Sequence, residues 1–382
     1  MSFSSNRPSL FLAIAAGILL LFNITLFCTG SAAQAGPFMI TFWAVLAILF
    51  SRHTATKGFV YTLMIFAAVT TAMFYPKPFT KPNGWDLSLL ITPLIQIIMF
   101  GMGTSMSLRD FYGVVKMPAG VFIGITCHFT IMPLVGLLLA TTLHFPPEIA
   151  AGVILIGSAP CGMASNVISY LAKANLALSV TLTAVSTLLA PFLTPLLMQW
   201  LAGNYIEISV QKMMWDIAKM VIIPVAGGLV FNHFLSGRIG WLDKLMPKLS
   251  MAAIAFIIVI ITAHGRESLL NVGLLLVLAG LTHNLAGYTL GYWFCRLIRM
   301  KEQDCRTIAI EVGMQNGGLA SAIAKEMGKI ATVGLAPAIF GPVMNITGSL
   351  LASWWHRRPP EAKEEEEILE EKLSKGFEPL ES

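Results

Sequence analysis

The chain is cut into long apolar blocks separated by short charged loops, and this alternation constrains its fold more than any other feature. A block of about 17 to 25 apolar residues is the length that crosses a hydrocarbon core as a helix. Lipid offers no partner to backbone N–H and C=O groups, so segments of this kind must satisfy them internally and become helical. Composition agrees: 56% of the 382 residues are hydrophobic and 12% charged, against roughly 45–50% and 25% in soluble domains. The mean hydropathy is +0.74. The expected class is an all-α polytopic membrane protein in contact with the lipid bilayer.

Apolar blocks and their breakers predict twelve helices, at 9–29, 37–50, 58–76, 88–107, 118–143, 149–172, 176–202, 214–235, 249–264, 268–297, 307–325 and 331–355. The second is the shortest. The first block, with Arg7, a long apolar run and "SAAQA", also resembles a secretory signal peptide. Its run exceeds the roughly 7 to 15 residues usual there, which favours a retained helix.

Lys and Arg concentrate on the cytoplasmic side of membrane proteins. A cytoplasmic N-terminus places Arg52, Lys57, Arg109, Lys116, Lys173, Arg238, Lys244, Lys248, Arg296, Arg299, Lys301 and Arg306 inside. The opposite side carries fewer: Lys77, Lys81, Lys212, Arg266, Lys325 and Lys329. Both termini then face the cytoplasm, as an even helix count requires, and the expected location is the cell membrane. The net charge of +5 follows from this topology and gives no reason to expect nucleic acid as a partner. The final stretch, "EAKEEEEILEEKLSKGFEPLES", reads as a solvated acidic tail; the alternative is a short amphipathic helix with Ile368, Leu369 and Leu373 on one face.

Cys28, Cys127, Cys161, Cys295 and Cys305 are scattered, lack CxxC spacing and read as packing residues. Walker, dinucleotide and HExxH motifs are missing, so neither ATP-driven transport by this chain alone nor zinc hydrolysis has a motif, and no enzyme is expected.

The middle and end of the chain repeat one another. "GMASNV" at 162–167 matches "GMQNGG" at 313–318, and each is followed by a small-residue helix with prolines, Pro191 and Pro195 in one and Pro337 and Pro342 in the other. Five helices per unit inverts the second copy relative to the first. Inverted repeats with one interrupted helix apiece point to a secondary transporter with its site near the midplane. The expected division is 1–52 as additional N-terminal helices, 53–202 and 203–358 as the two repeats, and 359–382 as the tail.

Polar residues inside spans are costly and mark function. In "GSAPCGMASNV" (157–167), Pro160 supplies no donor and frees carbonyls just before Ser165 and Asn166. Ser179, Thr183 and Ser186 follow at i, i+4 and i+7, on one helical face. In "EVGMQNGGLA" (311–320), Glu311 and Gln315 share a face if helix persists between them, while Gly313, Gly317 and Gly318 let the backbone open. A charge at the centre of a span costs about 2.5–3.5 kcal/mol on insertion scales. Lys219 is the nearest approach to a fixed cationic partner, and a mobile cation fits better. Carboxylate, amide, hydroxyl and freed carbonyl oxygens suit a hard cation such as sodium.

"SNVISYLAKANLALSVTLTAVSTLLAPFLTP", "IMFGMGTSMSL" and "EVGMQN" together resemble the bile acid:sodium symporter family, over about 58–355. The resemblance implies ten helices in two inverted five-helix repeats. A panel would come from 58–107 and 214–264, and a core with two crossed broken helices from 118–202 and 268–355; the two N-terminal helices are additional. It implies one sodium site at Ser165, Asn166, Ser179, Thr183 and Glu311, and a second at Glu311 and Gln315 with backbone oxygens of Val312 and Met314. Many members carry a glutamine where this chain has His128, a nitrogen ligand that can be protonated near neutral pH, so the second site is expected to be weakened or pH-sensitive. The substrate cavity would lie beside the crossing, with Asn316 and Asn345 towards an organic anion and Met163 and Met344 making it more apolar.

The reading is thus a secondary transporter that couples sodium to uptake of an organic anion, a bile acid or smaller carboxylate, by alternating access. The rivals are a metalloid or anion efflux carrier of related fold using Cys161, and a non-transporting membrane sensor using the tail.

Overall fold

A computed structural model of the chain describes residues 7–53, 56–107, 112–235 and 240–360. The acidic tail at 361–382, Arg109 and Arg238 lie outside the described residues. The described chain is helical: α1 (Arg7–Cys28), α2 (Gly36–Ser51), α3 (Val60–Phe74), the single turn α4 (Lys77–Thr80), α5 (Ile91–Thr104), the short α6 (Tyr112–Lys116), α7 (Pro118–Thr142) and α8 (Pro147–Ser158). It continues with α9 (Ala164–Leu171), α10 (Leu176–Ala202), α11 (Val210–Leu235), α12 (Gly240–His264), α13 (Arg266–Leu297), α14 (Glu302–Gly313), α15 (Gly317–Glu326) and α16 (Leu335–His356). No strand occurs among the described residues, and the protein is an all-α polytopic membrane protein.

Among the described residues, eight helices are long and apolar enough to cross a membrane. The other four expected spans fall on α2 and α3, of 16 and 15 residues, and on the pairs α8/α9 and α14/α15, each interrupted halfway. Proline starts α7 and α8, where its missing N–H is no loss. Asn175 and Asn316 cap α10 and α15 by accepting from Leu178 N and Leu319 N.

Two expected starts were late. α12 begins at Gly240 rather than 249, and α14 at Glu302 rather than 307. Hydropathy marks only the lipid-buried part of a helix, while both helices extend through polar turns beyond it. Glu302 and Asp304 occupy the first turn of α14, where carboxylates favour the helix dipole. Arg306, expected in a loop, is buried at 4% exposure because its donors are met: Nε by Glu302 at 2.8 Å and the terminal nitrogens by the carbonyls of Ala172, Trp355 and Arg358.

The helices pack in two groups. α3, α5, α11 and α12 pack among themselves, chiefly through α5 against α11 and α12. α7, α8, α10, α13, α14 and α16 form the second group, with α9 and α15 inserted among them. α1 packs on α2, and α2 on α3, where Trp43 Nε1 donates to Thr70 Oγ1 at 3.1 Å. At the end of the molecule holding the α3–α5 and α15–α16 connections, Thr92 of α5 donates to Glu326 of α15 at 2.6 Å and Arg266 Nε donates to Met73 O at 2.6 Å, tying one group to the other.

Candidate cation and substrate site

Both interrupted helices break at the residues that sequence singles out. α8 ends at Ser158 ahead of Pro160, and α14 ends at Gly313, so Glu311 and Gln315 do not share one continuous helical face. Instead Gln315 lies in the break itself, in an antiparallel bridge with Cys161. Gly162 N donates to Met314 O at 2.8 Å and Asn316 N to Pro160 O at 2.7 Å. Each break thus satisfies freed backbone groups of the other, which is what allows non-helical chain at this depth. A Cβ at Gly162 would lie 2.8 Å from Gln315 O, so the approach requires glycine.

Neighbouring helices hold the remaining carbonyls. Thr194 Oγ1 donates to Ser158 O at 2.7 Å. His128, fully buried on α7, directs Nε2 at Ala159 O, 2.8 Å away, and Nδ1 at Glu311 O, 3.0 Å away, so one imidazole spans both breaks. Cys161 Sγ is 3.4 Å from the same Nδ1, while Cys161 N donates to Ser186 Oγ at 3.2 Å.

The Glu311 carboxylate, on a residue only 1% exposed, faces α10. Ser179 Oγ donates to Oε1 at 2.5 Å and Thr183 Oγ1 to Oε2 at 2.9 Å. Asn166 Oδ1 lies 2.9 Å from Ser179 Oγ and 3.4 Å from Thr183 Oγ1, and Ser165 Oγ 3.4 Å from Thr183 Oγ1. Ser165 gives its own proton to Gly162 O at 2.7 Å. The hydroxyl protons of Ser179 and Thr183, with the Ser165 hydroxyl and the Cys161 thiol also beside Glu311, face the carboxylate and an amide oxygen, which together offer about six acceptor positions. Acceptors outnumber protons. Among the described residues no ion pair includes Glu311, and Lys219 pairs with Asp216 instead.

The residues expected at a second cation site are Glu311 itself and the next turn, Val312, Met314 and Gln315. Gln315 Nε2 donates to Val312 O at 2.5 Å, Met314 O accepts from Gly162, and the buried Gln315 Oε1 has no partner. Beside the crossing, between the two helix groups, lies a cavity of about 110 Å³. Ile65, Ile95, Ile98, Ile254, Ile257 and Ile258 line one side, and Met163, Met314, Gln315, Asn316, Met344 and Asn345 the other. The four residues expected to contact substrate all line it. Asn316 spends its side-chain carbonyl on the α15 cap, where it accepts from Leu319 N.

Sequence reasoning missed Ser169, whose hydroxyl is 3.1 Å from Ser179 Oγ, and Asn284, which donates to Gly313 O at 2.6 Å. The signal for Asn284 was present, since "THN" at 282–284 interrupts an otherwise apolar block.

Residues 92–272 match the family model described as Sodium Bile acid symporter family. The chain is 39% identical over 303 residues to the uncharacterized sodium-dependent transporter YocS of Bacillus subtilis, covering 79% of this chain and 92% of that protein. It is 33% identical over 298 residues to the probable sodium/metabolite cotransporter BASS1, chloroplastic, of Oryza sativa, covering 76% and 71%. Against the ileal sodium/bile acid cotransporter of Homo sapiens it is 34% identical over 245 residues, covering 62% and 69%. Fold, buried oxygen cluster and relatives together define a multi-pass membrane transporter and not an enzyme. The chain belongs to the sodium bile acid symporter family.

Proposed function

We propose that the protein carries an organic anion, a bile acid or smaller carboxylate, together with sodium into the cell by alternating access. The observation that carries this reading is the surplus of acceptor oxygens around Glu311. A sodium ion held by Ser165, Asn166, Ser179, Thr183 and Glu311 would complete that cluster without a fixed cation. A second ion would lie towards Gln315 Oε1 and the carbonyls of Val312 and Met314. His128 joins the two breaks and is not counted among the ligands of that ion, because both ring nitrogens already face carbonyl oxygens.

The anion would bind in the cavity between the two helix groups, its polar end towards Asn316 and Asn345 and its apolar body against Met163, Met344 and the isoleucines. In this reading α3, α5, α11 and α12 are the panel, the second group is the core, and residues 53–202 and 203–358 are inverted repeats preceded by two additional helices. With both termini in the cytoplasm, inward movement of net positive charge adds about 2.3 kcal/mol per charge per 100 mV of membrane potential.

The decisive experiment is a thermal-shift screen of organic anions, in sodium and in potassium, on the full chain and on Glu311→Ala. Sodium should stabilise the unmodified protein and its anion complex beyond potassium, by mass action on the folded state. A Glu311→Ala protein that keeps the sodium response overturns the reading.

A further inference from the structure

The carbonyl of Gly313 is freed by the break in α14 and lies between the two proposed cation ligands, Glu311 and Gln315. It is held from α13 by Asn284 Nδ2 at 2.6 Å. Asn284 is fully buried, so the orientation of its amide is set by its partners. A carbonyl can only accept; the amide nitrogen therefore faces Gly313 and Oδ1 faces α16, where it accepts from Thr347 Oγ1.

Thr347 has a single hydroxyl proton and three acceptors within reach. Besides Asn284 Oδ1 they are its own helix carbonyls, Val343 O at 2.9 Å and Met344 O at 3.2 Å. The proton serves Asn284 only while α16 stands where it does. That stretch of α16 is also the cavity wall: Met344 and Asn345 line the cavity, within one turn of Thr347. Pro342, inside the helix, removes a rung of the backbone ladder there. Gly348, one turn after Met344 on the same face, lies against the break, since a Cβ there would be 3.1 Å from Met314 Sδ.

We infer that Asn284 and Thr347 are positioning residues that fix the second helix break in its cation-binding geometry and make that geometry depend on the wall of the substrate cavity. Neither touches the cation cluster. Both act through Gly313 O, as outer partners orient the direct ligands of a bound ion. The inference rests on the sodium reading above and adds residues to it.

The test uses the full chain in detergent, sodium chloride as the sole ligand, and potassium chloride as the ionic-strength control. The thermal midpoint is followed against sodium concentration for the unmodified protein, Thr347→Val, Thr347→Ser and Asn284→Ala. Thr347→Val keeps the shape of the side chain and removes its proton. It should raise the half-saturating sodium concentration about 10-fold, Asn284→Ala should do the same, and Thr347→Ser should titrate with the unmodified protein. A merely structural role would lower the midpoint in potassium and leave the sodium titration where it was; that result in Thr347→Val overturns the inference. Should Asn284→Ala fail to fold, the Thr347 pair decides alone. An unmodified protein with no preference for sodium over potassium would instead remove the sodium reading itself.

Discussion

Asn316 N donates to Pro160 O across 2.7 Å, and with the companion bond from Gly162 to Met314 this joins the two interrupted helices by their backbones. The junction leaves no room for a side chain at Gly162. Gly162→Ala should cost about 1–3 kcal/mol from overpacking against fixed backbone and abolish transport in reconstituted vesicles. Gly227→Ala, whose Cβ would meet only Phe100 at 3.9 Å, is the matched control and should behave like the unmodified protein.

Neutral His128 carries one N–H, which goes to Ala159 O or Glu311 O according to the tautomer, and His128→Leu leaves that carbonyl without its donor. Each buried carbonyl left unsatisfied costs about 1–3 kcal/mol. The thermal midpoint should fall clearly, and His128→Gln, whose amide carries two N–H donors, should recover most of the loss. A midpoint unchanged in His128→Leu would refute the bridging role.

Thr92→Val removes a bond between the two helix groups while Lys325 still pairs with Glu326. The expected cost is about 1 kcal/mol. Amide hydrogen exchange around residues 326–334 should quicken, with exchange in α10 unaffected.

Glu148 precedes the apolar stretch of α8, where the Lys329 ammonium and the Thr332 hydroxyl hold its carboxyl below the usual value of 4.5. A depressed carboxyl contributes its full stability above the unfolded value and loses it as pH falls through the folded one. Its side chain is 39% exposed, so solvent screening keeps the contribution small. The midpoint of Glu148→Gln should lie below that of the unmodified protein at pH 6, and the gap should close on acidification below pH 4.5.

Much of the site was legible because its chemistry is unusual for its surroundings. Glu311, Ser165, Asn166, Ser179 and Thr183 stand out as polar groups in apolar blocks, and the structure brings all five together. Pro160 announced the first break, yet nothing local announced that the breaks would pair, since Cys161 and Gln315 are far apart in sequence and meet only through tertiary packing. Arg306 was misplaced for a similar reason. Its burial depends on carbonyls from two distant turns, Ala172 in one and Trp355 and Arg358 in the other, that a hydropathy pattern cannot foresee. Asn284 was overlooked although "THN" marked it, because its role depends on an acceptor, Gly313 O, that lies 29 residues further along the chain.

The oxygen cluster draws every group from α9, α10 and α14; the bridge joins the two breaks, and the hydroxyls of α10 bond to both. Not one of its oxygens belongs to α3, α5, α11 or α12. In the alternating access proposed above, sliding one helix group past the other would therefore shift the cluster as cargo inside a closed container, its oxygens neither assembling nor scattering during the stroke.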